Sequence, residues 1–225
     1  RVAIHQPHYL PWLGYLAKWA AADLFVFLDT VQYEKNGWQN RNRIKTPQGG
    51  RWLTIPVRKH GAQTTGIPIN AIETTDDQWA RNHFETLRHS YGKAPFFGAY
   101  RGWLEETYAR PPRNLADFTI SSTMELAGHL GITDTRFLRS SHLAVEGHKT
   151  DRLLAVLETV GATTYLSGPS AKDYIEDDKF QAAGIELEWM TYEYPEYPQL
   201  YPPFDPFVTV LDLLFMTGDR APSYF

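Results

Sequence analysis

Val2-Ala-Ile-His-Gln-Pro-His-Tyr-Leu-Pro-Trp12 joins a short apolar run to a polar turn at the start of the chain. Val2 to Ile4 can form a buried strand, and the two prolines at positions 7 and 11 exclude a regular helix between them. Residues 12–22 are almost entirely apolar and predict a helix that begins where the turn ends. A strand, a polar turn and a helix in this order favour a ligand site, because ligands of open α/β sheets bind beyond the carboxyl ends of the strands.

The rest of the chain repeats this alternation of strands and helices. The apolar run Leu24–Leu28 predicts a second buried strand. Further strands are predicted over 136–139, 163–166 and 185–190, and helices over 75–91, 96–110, 114–130, 149–160, 171–182 and 206–216. Apolar strands separated by helices are typical of a parallel sheet that is covered on both faces. We therefore predict an α/β fold with an open, mostly parallel, Rossmann-like sheet in one domain over residues 1–225.

Two insertions interrupt the alternation. Residues 30–70 contain two strand-like segments, 41–45 and 52–57, around a Thr-Pro-Gln-Gly-Gly turn, and so predict a β-hairpin insertion. Residues 75–135 are predicted to form a helical insertion. Seven basic side chains and one acidic side chain fall within residues 34–60, although the net charge of the chain is −4. A basic hairpin can attract phosphate or another anion, whereas the overall charge argues against a broad nucleic-acid surface.

Composition limits the chemistry that the chain can perform. It has no cysteine, which excludes disulfides, thiolate metal sites and a cysteine nucleophile. No apolar run approaches the roughly 20 residues that a membrane-spanning helix requires. The chain also opens with a strand-like segment instead of a secretion signal. We expect a cytoplasmic protein without a membrane span, and nothing in the sequence indicates its oligomeric state.

Three titratable side chains follow predicted strands: His5 and His8 after the first strand and Asp29 after the second. Neighbouring parallel strands end at one edge of a sheet, so we expect these side chains to lie close together. Either histidine can act as a general acid or base, and we predict that all three residues are catalytic, with no metal bound. The alternatives are phosphate binding or a metal site for the histidines, a backbone hydrogen bond from one of them, and a turn cap for Asp29. Asp29 could also orient a histidine or bind a ribose hydroxyl.

A polar and aromatic cluster occupies the opening turn and the hairpin insertion. Alternation along residues 39–43 places Arg41 and Arg43 on one face, where guanidinium groups can bind phosphate or carboxylate. Trp38 and Trp52 can stack on a base or a sugar. The alternative is a solvated hairpin edge, where basic residues discourage aggregation. The residues that we predict to bind substrate here are Gln6, Tyr9, Tyr33, Asn36, Trp38, Asn40, Arg41 and Arg43.

A second candidate binding turn, Ser167-Gly-Pro-Ser170, follows the predicted strand 163–166 and opens a helix. Backbone N–H groups at such a position can hold an anion, and Lys172 lies close by. We predict that Ser167, Ser170 and Lys172 bind substrate, with a simple helix cap by Ser170 as the alternative. The Tyr- and Pro-rich segment 192–201 can form a lid, a pocket wall or a subunit interface.

Several segments resemble one family of bacterial proteins. They are His5-Gln-Pro-His-Tyr-Leu-Pro-Trp-Leu-Gly-Tyr15, Phe25-Val-Phe-Leu-Asp-Thr-Val-Gln-Tyr33, Trp38-Gln-Asn-Arg-Asn-Arg-Ile-Lys45, Tyr165-Leu-Ser-Gly168 and Leu211-Asp-Leu-Leu-Phe215. The chain resembles the WbqC-like family, which is associated with surface-polysaccharide and natural-product gene clusters. The resemblance implies a biosynthetic transferase that moves an acyl or aminoacyl group onto an amine, such as an amino sugar or a natural-product intermediate. From the basic hairpin we expect a phosphate-bearing donor: aminoacyl-tRNA, CoA, a carrier protein or a nucleotide-activated compound, with ATP as the candidate cofactor.

Two other functions stay open. The first strand, turn and helix are similar to the opening of nucleotidyltransferases, which carry a Pro-x-His-x-Gly-His signature. Pro11-Trp-Leu-Gly-Tyr15 keeps the proline and the glycine but lacks both signature histidines. One alternative is therefore an ATP-dependent, adenylate-forming or nucleotidyl-transferring enzyme. The other is a non-catalytic protein that binds a nucleotide or a nucleotide sugar.

Overall fold

A computed structural model describes residues 1–58 and 66–225. Its strands are β1 (Val2–His5), β2 (Leu24–Phe27), β3 (Arg41–Thr46), β4 (Gly49–Thr54), β5 (Arg136–Arg139), β6 (Thr164–Ser167) and β7 (Glu186–Trp189). Its α-helices are α1 (Leu13–Ala20), α2 (Gln78–Tyr91), α3 (Phe97–Ala109), α4 (Leu115–His129), α5 (Lys149–Thr159), α6 (Asp177–Ala182) and α7 (Leu211–Thr217). None of the helices in these two ranges has the length and apolar character that crossing a membrane requires.

Five strands form the central sheet in the order β5-β2-β1-β6-β7, and every neighbouring pair is parallel. Counted along the chain, these are the third, second, first, fourth and fifth strands of the sheet. This is the order of a doubly wound sheet, in which the chain builds outward from β1 in both directions. The predicted α/β class with an open parallel sheet is confirmed.

Side-chain alternation along the strands gives each face of the sheet its own core, because successive residues point to opposite faces. Val2 and Ile4 pack on one face with apolar residues of α5 and α6, including Leu157 and Phe180. Ala3 lies on the other face, in a larger core that α1, α2, α3, α4 and α7 also enter. Because both faces are covered at the centre of the sheet, the apolar residues of β1 and β2 form continuous runs in the sequence.

The hairpin of β3 and β4 and the three helices α2, α3 and α4 lie between β2 and β5 along the chain. The hairpin pairs from Arg41 opposite Thr54 to Thr46 opposite Gly49. Its second strand therefore begins before the predicted residue 52, and Lys59, one of the basic residues counted in this insertion, lies outside the described residues. Asn114 caps α4 as its sequence position predicts, since its Oδ1 accepts a hydrogen bond from the Asp117 N–H at 3.0 Å.

The helices predicted over 171–182 and 206–216 begin five or more residues later than expected. In both cases residues of the predicted first turns make hydrogen bonds to other parts of the structure. Over residues 171–182 the chain forms a 3₁₀ turn and then α6, because the Thr150 hydroxyl bonds backbone groups of Tyr174 and Glu176 between them. The helix predicted from residue 206 begins only at Leu211. The preceding Thr209 and Val210 donate backbone hydrogen bonds to the Arg43 and Pro11 carbonyls, at 2.8 and 2.9 Å, which holds the segment against the hairpin and the opening turn.

Asp212 on α7 is a fully buried carboxyl within the larger core. Burial raises the pKa of Asp212 to about 6, although the nearby Tyr197 and Tyr91 hydroxyls and the charge of Lys45 act in the opposite direction. An aspartate in an unfolded chain titrates near pH 3.9. Between these two values the folded protein holds a proton that the unfolded chain has released, so the free energy of unfolding falls as the pH rises.

We expect Asp212→Asn to remove this pH dependence, because an amide has no proton to release. Between pH 4 and pH 7 the native protein should lose about 2–3 kcal/mol of unfolding free energy through Asp212, and the variant should not. The unfolding free energy of the variant minus that of the native protein should therefore rise by this amount. Urea unfolding at the two pH values measures the difference. Asp134→Asn, at an exposed position, is the matched control, and equal differences at both pH values for Asp212→Asn would contradict the expectation.

Candidate functional site

The central position of β1 creates a crevice at the carboxyl edge of the sheet. From β1 the chain builds toward β2 on one side and, later, toward β6 on the other. Loops that leave β1 and β6 therefore diverge, and open α/β sheets bind ligands at the point where they do so. His5 ends β1 and Ser167 ends β6 at this crevice.

A cleft of about 480 Å³ lies at the crevice, which is large enough for a small molecule. Its walls combine aromatic side chains with a few polar groups. They are His5, Trp12, Gly14, Tyr15, Lys18, Gly168, Pro169, Ser170, Met190, Thr191, Tyr192 and Tyr194. An adjoining recess of about 430 Å³ shares His5, Trp12 and Ser170 with the cleft and extends to Gln6, His8 and Trp38.

His5 and His8 form a close pair at the junction of the cleft and the recess. Their ring centroids are 4.6 Å apart with the planes at 86°, and the His8 ring stacks on Tyr15 at 5.1 Å. His5 Nδ1 lies 3.2 Å from the Gln6 carbonyl oxygen. A carbonyl can only accept, so this contact places the proton on Nδ1 and leaves Nε2 free to take a proton.

Both imidazoles are neutral at neutral pH. Burial lowers the pKa of His8 to about 3, and the charge of Lys18 adds to the effect. Burial also holds the pKa of His5 well below its ordinary value, again with Lys18 and His8 acting in the same direction. A neutral imidazole with a free Nε2 is the form that a general base requires.

The hairpin holds the opening turn, residues 5–12, in place. Gln39 Nε2 donates to the side-chain oxygen of Gln6 at 2.5 Å, and Asn42 Nδ2 donates to the Leu10 carbonyl at 2.6 Å. Leu10 has a φ of 45°, a left-handed conformation that costs a non-glycine residue about 1 kcal/mol or more. The hydrogen bond from Asn42 therefore fixes the turn where its backbone is least favourable.

Three indoles connect the cleft with the surface of the hairpin, and we call them the indole row. The Trp12 and Trp38 ring centroids are 5.6 Å apart, and those of Trp38 and Trp52 are 5.4 Å apart. The Arg41 guanidinium lies 4.4 Å above the Trp52 ring. Trp38 and Trp52 are 38% and 43% exposed. Exposed indoles beside a guanidinium form a surface on which a base can stack.

Other cations of the hairpin hold the C-terminal segment. Arg43 lies opposite Trp52 in the hairpin, and its guanidinium donates to Asp205 at 2.8 Å. Lys45 Nζ donates to the Pro203 carbonyl. Arg41 also has a backbone partner, since its guanidinium donates to the Asn36 carbonyl. Unlike Arg43 and Lys45 it is not engaged by the C-terminal segment, and it lies over the Trp52 ring of the indole row.

Several residues predicted to bind substrate lie away from the cleft and the recess. Tyr9 is fully buried, and its hydroxyl bonds His83 Nδ1 at 2.8 Å and the Tyr108 hydroxyl at 2.6 Å. Tyr33 is buried in the larger core, and the buried Asn40 donates to the Ile55 carbonyl at 2.7 Å. Asn36 lies in an exposed turn with a φ of 64°.

Asp29 lies in a turn after β2. In the part of the chain that the structure describes, it makes no hydrogen bond to His5 or His8. Its buried carboxylate accepts from Ser140 Oγ at 3.0 Å, from the Ser141 N–H at 2.9 Å and from Ser141 Oγ at 2.8 Å. Arg139 Nε lies 3.3 Å away. These contacts match the turn-capping alternative, and residues 1–58 and 66–225 contain no group of three His, Asp or Glu side chains arranged for a metal ion.

The second predicted binding turn does reach the cleft. Ser170 lines both the cleft and the recess, whereas Ser167 is buried at the end of β6 and does not line either. Lys172 is exposed, and its Nζ lies 5.2 Å above the Trp189 ring instead of facing the cleft. Tyr192 and Tyr194 of the Tyr- and Pro-rich segment form one wall of the cleft.

Sequence reasoning missed four neighbouring residues of the cleft, which are Trp12, Gly14, Tyr15 and Lys18. Lys18 is only 5% exposed, yet it lines the cleft from α1. A Cβ at Gly14 would come within 3.0 Å of the Tyr194 hydroxyl, so the glycine admits the tyrosine wall to the helix. The sequence did carry a signal for Lys18, because α1 (Leu-Gly-Tyr-Leu-Ala-Lys-Trp-Ala) is otherwise apolar and Lys18 is its single charged residue.

Comparison with known proteins agrees with the sequence motifs. The family model described as the WbqC-like protein family matches residues 6–224. The uncharacterized protein Rv1507c of Mycobacterium tuberculosis (strain ATCC 25618 / H37Rv) is 38% identical over 226 residues, which cover 100% of this chain and 96% of the relative. No solved structure matches the chain significantly. The hairpin, the C-terminal helix and the opening motif from Gln6 onward fall within the matched range, and the chain belongs to the WbqC-like protein family.

Proposed function

We propose that the protein is a biosynthetic transferase that moves an acyl or aminoacyl group from a phosphate-bearing donor onto an amine. The observation that carries this proposal is the state of His5 at the cleft. Its imidazole is neutral, and its Nδ1 proton is directed at the Gln6 carbonyl. Membership of the WbqC-like family is consistent with a biosynthetic enzyme.

In the proposed reaction the amine nitrogen attacks the carbonyl carbon of the donor while His5 Nε2 takes a proton from that nitrogen. A new C–N bond forms, and the C–O or C–S bond to the donor breaks. The His5 imidazolium then returns the proton to the leaving oxygen or sulfur. The products are an amide and the free alcohol or thiol of the donor, so protons and electrons balance.

His8 serves as a positioning residue in this scheme. It is 4% exposed, and its ring packs edge-to-face on His5 and stacks on Tyr15. These contacts fix the plane of the His5 ring. A base that is held in one orientation needs less reorganisation when the amine attacks.

The indole row supplies a place for the donor. It extends from Trp12 in the cleft to Trp52 on the hairpin, and the Arg41 guanidinium lies over its outer end. Adenine occurs in CoA and at the 3′ end of tRNA, which are two of the candidate donors, and in ATP, the candidate cofactor. The donor's reactive carbonyl would then extend along the row toward His5.

The alternatives make different use of the same cleft. Adenylate formation would release pyrophosphate from ATP, but Pro11-Trp-Leu-Gly-Tyr15 lacks the histidines that nucleotidyltransferases use. A non-catalytic binding protein would need neither a neutral imidazole nor a fixed tautomer. We therefore favour group transfer over both.

We expect His5→Gln to lower turnover by about 10²–10⁴-fold, because the amide cannot accept the proton of the attacking amine. Hydroxylamine serves as a general amine acceptor, with acetyl-CoA, an acetylated acyl carrier protein and an aminoacyl-tRNA as donors. Mass spectrometry detects the hydroxamate. The Michaelis constant of the donor should change little, since the group lost acts on the proton and not on the donor.

His142→Gln provides the matched control, because His142 lies on the other side of β2 at the end of β5. It should retain native turnover. Unchanged turnover in His5→Gln would remove the base assignment. Absence of hydroxamate with every donor, together with pyrophosphate release from ATP, would favour the adenylate alternative.

The indole row should bind an adenine base. We expect AMP to quench tryptophan fluorescence saturably and ribose 5-phosphate, which lacks the base, to bind at least about tenfold more weakly. Trp52→Ala should weaken AMP binding by about tenfold, because one stacked base contributes about 1–3 kcal/mol. Phe137→Ala removes an exposed aromatic side chain from β5 and should leave AMP binding unchanged. Equal binding of AMP and ribose 5-phosphate would show that the row does not recognise the base.

A further inference from the structure

Lys18 places an amine at the floor of the cleft in an unusual environment. Its Nζ donates to the Ile4 carbonyl at 3.3 Å, the long end of the range for such a bond. Its other neighbours at the cleft include His5, which ends the strand beneath α1, and Tyr15, one helical turn away. A buried lysine usually pairs with a carboxylate, because burial of an unpaired ammonium is costly.

No carboxylate fills that role among the described residues. None of the residues that line the cleft is acidic, and the acidic side chain nearest in the site is Glu34, which lines the recess beyond His8. The titratable groups that face Lys18 are instead His5, His8, Tyr15, Tyr192 and Tyr194. Two of these side chains, His5 and His8, and Lys18 itself are nitrogen bases, and the tyrosines carry O–H groups, so the described lining of the cleft has donors and no carboxylate.

His8 gives a second, independent observation. It is 4% exposed, and its Nδ1 is buried with no hydrogen-bond partner in the structure. Buried polar atoms are almost always paired, and an exception calls for an explanation. His8 lines the recess that shares His5 with the cleft, so its unpaired Nδ1 belongs to the same basic cluster as Lys18.

From this arrangement we propose that the cleft binds a small carboxylic acid that bears a ring, with its carboxylate on Lys18 and its ring against the aromatic walls. The inference deepens the proposed transferase function, and rests on it only in assigning this acid to the amine acceptor. The acceptor would then be an amine that also carries a carboxylate, such as an amino acid or an amino sugar acid.

A carboxylate suits the cleft better than a phosphate does. A single ammonium balances one negative charge, whereas phosphate carries up to two charges and is bound preferentially by guanidinium forks. The described cleft contains no arginine. Trp12, Tyr15, Tyr192 and Tyr194 provide flat surfaces on which a sugar or aromatic ring can pack.

Binding of the acid would also raise the pKa values of Lys18 and of the proposed base, His5. Burial lowers the pKa of the Lys18 amine to about 7, so much of it is neutral in the free protein. A carboxylate at the amine would raise its pKa and draw a proton onto it. The same carboxylate would offset the repulsion that lowers the pKa of His5, and so bring the base closer to the pH at which it works.

The test uses phenylacetate and glucuronate as probes, each with a neutral counterpart, phenylacetamide and glucose. We expect at least one acid to bind saturably by calorimetry and to raise the melting temperature, and its neutral partner to bind at least about tenfold more weakly. Titrations at pH 8 in buffers with different ionisation enthalpies should show proton uptake, because Lys18 becomes charged on binding.

Lys18→Met keeps the length and the apolar stem of the side chain and removes the charge. It should weaken binding of the acid by about tenfold or more and abolish the proton uptake. Lys93→Met, at an exposed lysine after α2, is the matched control and should bind as the native protein does. Should Lys18→Met fail to fold, Lys18→Gln and the proton uptake of the native protein provide the same test.

Equal binding of an acid and its neutral counterpart, unchanged binding in Lys18→Met, or no binding of either acid would overturn the inference. Preferential binding of inorganic phosphate would overturn the carboxylate assignment. These measurements use the native protein and its lysine variants and need no turnover. Loss of hydroxamate formation with intact acid binding would therefore count against the proposed reaction and not against this site.

Discussion

Parallel hydrogen bonding of β1 on both of its edges is the constraint on which the site depends. β1 pairs with β2 along its whole length and with β6 through Val2 and Ala3. This central position leaves His5 at the one edge of the sheet where the loops diverge. It also brings α1 across the same edge, so that a residue of the first helix and a residue of the first strand share one cleft. The first eighteen residues thus supply His5, Trp12, Tyr15 and Lys18, and the segments after β6 and β7 supply the facing wall of the cleft.

The hairpin insertion then gives the opening turn its shape. Asn42 and Gln39 each donate a side-chain hydrogen bond to that turn, and the Val210 N–H adds one from the backbone to the Pro11 carbonyl. The left-handed Leu10 is stable only in this setting. The sequence presents the hairpin as an insertion, but its hydrogen bonds make it part of the structure that fixes the opening turn. Its exposed side, with Trp38 and Trp52, remains accessible to a ligand.

The spacing of apolar residues, together with the glycines, prolines and capping residues between the apolar segments, was sufficient to predict the sheet and the order of strands and helices along the chain. It also predicted the edge of the sheet where the histidines lie. These patterns could not assign individual side chains. Tyr9 and Asn40 looked like ligand-binding groups, yet tertiary packing gives both of them buried partners. Arg43 carries a charge that a distant residue, Asp205, offsets, and such a pairing leaves no local pattern. Lys18 was overlooked for the opposite reason, since its apolar helix reads as core and one lysine in a helix is ordinarily taken to extend to solvent.

Lys18, the buried lysine of α1, lowers the stability of the fold and provides the amine of the proposed binding site. The buried amine packs next to imidazoles without an internal counter-charge, which is a locally frustrated arrangement that a protein optimised only for folding would discard. Selection for heat resistance alone would therefore favour an apolar residue at position 18. Thermostable variants obtained in that way would keep the sheet and the hairpin intact and lose the amine on which the proposed carboxylate site depends.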